Sequence, residues 1–126
     1  MRGMSRAGSG SLLTIDDREV VNYSYHMVEV RKTSTFLQWL MALRDLRAVA
    51  RIQIRIDRVL LGNFGDVKPV GEGVSELRID YGPGYRVYFT QRGKTLVLLL
   101  CGGDKSTQKS DIAEAKSLGR EWTDGS

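Results

Sequence analysis

From Met27 onward the spacing of apolar positions changes twice, and each change marks a change of element. Val28 and Val30 alternate with charged neighbours, which predicts a short strand. Thr33 or Ser34 can cap the next segment, where Phe36, Leu37, Leu40, Met41 and Leu43 recur at helical spacing beside Trp39. Asp45 caps a longer helix, whose predicted apolar stripe is Leu46, Val49, Ala50, Ile56, Val59 and Leu60 and whose stop is Gly62-Asn63. After Gly62 the period falls from 3.6 to 2. A Gly-rich link containing Lys68 leads to three alternating segments over 75–80, 85–91 and 94–101, separated by Gly82-Pro83-Gly84 and Arg92-Gly93. Turn and cap residues follow from Asp104, and Ile112, Ala115 and Leu118 then predict a short closing helix. The expectation is an α+β fold: two N-terminal helices packed on an antiparallel β-sheet, with a short C-terminal helix.

The hairpin over 75–91 carries a parity argument. Directly opposed residues on antiparallel strands share a face, so burying Leu77 and Ile79 together with Val87 and Phe89 requires an odd number of loop residues. The loop Gly82-Pro83-Gly84 meets that requirement. A two-residue loop would turn Arg86 into the core beside Leu77 and Ile79, at a cost on the order of several kcal/mol for an unpaired guanidinium. In the odd register Glu76, Arg78, Asp80, Arg86 and Tyr88 collect on the opposite, exposed face. Such a face reads either as a binding surface or as an internally ion-paired solvated one.

Composition sets bounds around this pattern. The chain has 126 residues, 41% hydrophobic and 27% charged, the balance of one globular domain. Its net charge is +4, which favours a polyanionic partner. Residues 1–26 hold three basic and three acidic residues, so the net charge belongs to residues 27–126. Their Gly/Ser/Arg-rich start reads as a variable or disordered extension upstream of Met27, or as a short strand over 12–21. The domain is expected over 27–120, with a flexible tail over 121–126. No apolar run approaches membrane-spanning length, so no membrane partner and a cytoplasmic location are expected.

Several chemistries fail on inspection. Cys101 is the single cysteine and His26 the single histidine, which leaves no metal-ligand set and no nucleophile-base pair. Gly102-Gly103-Asp104-Lys105-Ser106 looks like a phosphate loop, but Asp104 stands where the second glycine should precede the lysine. Arg47, Arg51 and Arg55 fall at i, i+4 and i+8 on the second helix, giving a basic stripe that reads as a phosphate track, a dock for an acidic partner segment or a solvated face.

Longer stretches carry a family likeness. Gly65-Asp66-Val67-Lys68-Pro69-Val70-Gly71 is followed by Gly73-Val74-Ser75-Glu76-Leu77-Arg78-Ile79 and Gly82-Pro83-Gly84-Tyr85-Arg86-Val87-Tyr88. Then come Leu98-Leu99-Leu100-Cys101-Gly102-Gly103-Asp104-Lys105 and Gln108-Lys109-Ser110-Asp111-Ile112. Over about residues 27–120 the chain resembles the RelE/ParE toxin superfamily, and more narrowly the addiction-module killer proteins of its HigB or Gp49-like branch.

The resemblance implies the RelE-like fold and the toxin of a type II toxin-antitoxin module. It implies a ribosome-dependent mRNA endoribonuclease that needs no metal or cofactor, in which a ribose 2′-OH attacks the adjacent phosphate. Its implied partners are the ribosome, mRNA and a neutralising cognate antitoxin of helix-turn-helix type. The ParE-like alternative uses the same fold to inhibit DNA gyrase without catalysis. Carried onto this chain, the likeness puts Arg78, Arg86 and Lys105 on the scissile phosphate and Lys68 at the edge of the same groove. Relatives place a histidine or tyrosine near the C-terminus, and the stretch 109–111 has neither. Glu76, or Lys68 among neighbouring cations, is left as the base. Arg47, Arg51, Arg55, Tyr88 and Lys109 are the expected RNA contacts.

Overall fold

The computed structural model describes residues 28–122, so the expected extension over 1–26 lies outside the described residues. The elements are β1 (Glu29–Lys32), α1 (Ser34–Ala42), α2 (Leu46–Leu60), β2 (Val67–Gly71), β3 (Val74–Ile79), β4 (Tyr85–Arg92), β5 (Leu96–Gly103), a 3₁₀ turn (Lys105–Thr107) and α3 (Gln108–Glu121). The strands form one sheet in the order β1-β5-β4-β3-β2. The sheet is mixed rather than wholly antiparallel, because β1 runs parallel to β5, with Val30 opposite Val97. The stretch expected as a Gly-rich link contains an edge strand: β2 pairs with β3, and Pro69 sits on this edge, where its missing N–H is tolerated.

The odd parity of the hairpin holds. The connection is five residues, 80–84, rather than the expected three, so the register moves by two: Leu77 faces Val87, Arg78 faces Arg86 and Glu76 faces Tyr88, and every residue keeps its face. α1 and α2 cover the face carrying Leu77, Ile79, Val87, Phe89, Val97 and Leu99. On α2 the buried positions are Ala48, Ile52, Ile56 and Val59, whereas Leu46 is 78% exposed and Ala50 points outward. The expected stripe thus holds at Ile56 and Val59 and is rotated in the first half of the helix, where Ala48 and Ile52 replace Leu46 and Ala50. Small Ala48 sits at the contact directly after the Asp45 cap, and from there the i, i+4, i+8 row runs along the sheet.

The opposite face is not open. α3 lies across it and closes a second apolar cluster of Val74, Tyr88, Leu98, Leu100, Cys101 and Ala115, with Ile112, Leu118 and Trp122 packed on it. A bulge makes this cluster possible. The β4–β5 register shifts between Tyr88 and Phe89, so Leu100 and Cys101 both turn toward α3. Trp122 belongs to this cluster and the Arg92 guanidinium lies 5.1 Å over its ring, so residues 121–122 are part of the fold, not of a tail. No helix among the described residues is long and apolar enough to cross a membrane.

Candidate functional site

Two rows of residues cross the sheet beneath α3. One row holds Lys68, Glu76, Tyr88 and Cys101; the next, nearer the hairpin tip, holds Arg78, Arg86 and Gly103. α3 covers Glu76, Tyr88 and Cys101 of the first row and Gly103 of the second, and leaves Arg78 and Arg86 on an open groove of about 380 Å³. Arg78, Arg86 and Lys105 all line it, together with Asp66, Asp80 and Gly84. Lys105 reaches the groove because β5 ends at Gly103 and Asp104 caps the 3₁₀ turn, accepting from the Ser106 N–H at 2.8 Å. The aliphatic stem of Lys105 lies against Gly84, where an added Cβ would stand 2.9 Å from Cγ. Gly84 also has φ +80, so both conformation and space select glycine in the hairpin connection.

The two arginines are held differently. Arg78 is partly exposed and its Nε lies 3.4 Å from Asp66 Oδ2. Arg86, expected on an exposed face, is only 8% exposed; its Nη1 donates to the Gly84 and Tyr85 carbonyls at 3.1 and 3.2 Å. Two guanidiniums and an ammonium around one polar groove suit an anionic group with several acceptor oxygens.

The remaining expected site residues separate. Glu76 is fully buried: Oε2 accepts from Tyr88 Oη at 3.0 Å and from Gln108 Nε2 at 2.7 Å, and Oε1 faces Arg86 Nε at 3.6 Å. It is therefore not placed to take a proton from a ribose in the groove. Tyr88 is also fully buried and cannot touch RNA; burial, and then its bond to Glu76, push its hydroxyl above the usual tyrosine range. Lys68 is exposed on β2, on the same sheet face as Glu76 but not among the groove's lining residues. Lys109 is exposed on the first turn of α3, beside a separate shallow depression with Ser106 and Ser110.

The basic stripe on α2 also divides. Arg47 is exposed at the helix start. Arg51 lies 4.7 Å over the Tyr81 ring, and Tyr81 Oη donates to Asp45 at 3.0 Å, a bond that draws the Asp45 carboxyl below its usual range. Arg55 is not a free contact. It donates to the carbonyls of Arg78, of Phe64 at 3.0 Å and of Asp66 at 3.3 Å, and burial lowers its pKa from the usual arginine value. It ties α2 to the strand and loop that carry the Arg78–Asp66 pair. An Arg55→Met variant, which keeps the stem and removes the donors, should lose roughly 1–3 kcal/mol of stability in urea unfolding. Arg51→Ala, which removes only a surface stacking contact, should lose about 1 kcal/mol or less.

Asp66 and Gln108 were missed as site residues. Both lie within the stretches that carry the family likeness, but spacing alone gave no reason to pair Asp66 with Arg78 or Gln108 with Glu76.

The profile of the phage-derived Gp49-like family matches residues 39–119. The chain belongs to this family. It is 54% identical over 94 residues to an uncharacterised protein of Haemophilus influenzae, a span covering 75% of this chain and 95% of that protein. Among solved structures it is similar to the E. coli toxin RelE in the free state, in a variant with two arginines replaced by alanine. That match has a TM-score of 0.59 at 14% identity and covers 76% of this chain and 99% of the other. The Gp49-like chain thus has the RelE-like fold expected from its sequence.

Proposed function

We propose that this protein is the toxin of a type II toxin-antitoxin module and cleaves mRNA on the ribosome. The observation that carries the reading is the meeting of Arg78, Arg86 and Lys105 in one groove, from two adjacent strands and the turn after a third. Cleavage proceeds by attack of a ribose 2′-oxygen on the adjacent phosphorus. The 2′ proton passes to a base, the bond to the 5′ oxygen breaks, and that oxygen leaves with a proton. The products are a 2′,3′-cyclic phosphate and a free 5′-hydroxyl, so the atoms balance without water or metal. The three cations would stabilise the negative charge that builds on the phosphoryl oxygens. With Glu76 enclosed, the base is Lys68, which is exposed but lies outside the groove's lining, or Asp80, whose carboxylate lines it.

A cognate antitoxin restrains the activity by masking cationic surface. Arg47 and Arg51, flanked by the exposed Leu46 and Ile54 on α2, suit an acidic partner segment with apolar side chains. The test is induction in growing cells followed by mapping of mRNA 5′ ends. Cuts at fixed codon positions in translated messages, absent in untranslated ones, support the reading. Intact messages overturn it, and gyrase-linked DNA breaks in their place would establish the ParE-like alternative.

A further inference from the structure

We propose that Glu76 is a positioning residue that fixes the Arg86 guanidinium at the floor of the groove, and that α3 holds Glu76 in place through Gln108. The inference rests on the reading of the groove as a phosphate site. Glu76 has no access to the groove's solvent, yet every group around it is arranged for a carboxylate. Tyr88, whose hydroxyl stays protonated, donates from the neighbouring strand, and Gln108 donates from the first residue of α3. Both bonds go to Oε2. That leaves Oε1 directed at Arg86 Nε, and these two atoms are the buried side-chain polar atoms with no hydrogen-bond partner among the described residues. Each is the other's nearest charge complement.

The consequence for Arg86 is directional. Its Nη1 is committed to the Gly84 and Tyr85 carbonyls and its Nε to the Glu76 side, so the guanidinium is held from two sides and Nη2 is the nitrogen left to an anion. Arg86 nevertheless lines the groove. A guanidinium gripped in this way presents its remaining donors without an entropic cost of ordering when the anion arrives. Arg78 differs, since its carboxylate partner Asp66 is exposed and can yield to a phosphate. The buried pair is the fixed half of the site and the exposed pair its adjustable half.

The experiment compares Glu76→Gln, Gln108→Ala and Tyr88→Phe with the wild type by two readouts. The first is the ¹⁵N relaxation and hydrogen exchange of the Arg86 Nε–H in the free protein, which needs no activity. The second is mRNA cleavage in a translating extract, separated into KM and kcat. The wild-type Nε–H should be ordered and protected. Folded Glu76→Gln should leave it mobile and lower kcat about 10²-fold with KM little changed. Gln108→Ala and Tyr88→Phe, which keep the carboxylate, should give smaller losses in the same direction and serve if Glu76→Gln fails to fold. In an Arg86→Ala background the Gln108→Ala loss should vanish, because a residue acting through Arg86 has nothing left to act on. An unchanged Arg86 Nε–H in these variants overturns the inference, as does a cleavage loss that persists without Arg86. A wild type that cuts no mRNA overturns the nuclease reading instead, while the Nε–H measurement still decides the role of Glu76.

Discussion

Arg78→Ala is expected to slow mRNA cleavage on the order of 10²-fold, about 3 kcal/mol of transition-state stabilisation, while leaving the melting temperature almost unchanged. Arg78 is partly exposed and its partner Asp66 more so, and such pairs contribute on the order of 1 kcal/mol or less to folding. Lys105→Ala should behave in the same way, because the ammonium is exposed and only its stem packs on Gly84. Arg86→Ala should lose activity to at least the same degree but should also destabilise the fold. Removing it leaves the Glu76 carboxylate buried without its cation, a change that costs about 3–5 kcal/mol. Activity and melting temperature measured on the three variants therefore separate the exposed cations from the buried one. Retained cleavage by an Arg78/Arg86 double alanine variant would remove the groove as the active site.

The part of this site that was legible in the sequence is the part fixed by local geometry. Alternation and loop parity placed Arg78 and Arg86 on one face, although a three-residue loop would have set Arg86 opposite Asp80, and it is the five-residue connection that brings it opposite Arg78. What covers the face was not legible. The apolar residues Ile112, Ala115 and Leu118 announce a helix, but no periodicity says that it folds back over the row containing Glu76 and Tyr88. Both were consequently expected in solvent and both are enclosed. β2 escaped for a related reason: Pro69 and Gly71 give it the composition of a link, and its strand character comes from pairing with β3. Arg55 shares the spacing of Arg47 and Arg51, and only the approach of the loop at Phe64 and Asp66 makes it a tie between elements.

Gly102-Gly103 shows the same limit from the other side, since a stretch that resembles a phosphate loop is a packing device. Gly102 lies on the face of α1, where an added Cβ would stand 2.2 Å from Trp39 Cε3. The indole cannot step aside freely, because Phe36 and Tyr85 flank it with ring centroids at 5.8 and 6.3 Å. Gly103 lies on the opposite face, where a Cβ would stand 1.8 Å from Asp111 Oδ2. Asp111 is held there by Thr107 Oγ1, which donates to that oxygen at 2.5 Å. One glycine thus admits α1 to the sheet and the next admits the start of α3, which explains why the pair precedes the turn that carries Lys105. Gly102→Ala should cost about 3 kcal/mol, at the upper end of the range for an extra methyl in a packed core. For a domain of this size that corresponds to a fall in melting temperature of roughly 12–24 °C. Trp39→Leu in the same chain removes the obstructing ring and should restore part of the loss, an interaction read as non-additivity in a double-mutant cycle. Gly103→Ala should cost less, because the carboxylate of Asp111 can swing away at the expense of its bond to Thr107. Full thermal stability of Gly102→Ala would contradict the close approach of Trp39 and return the pair to consideration as a ligand loop.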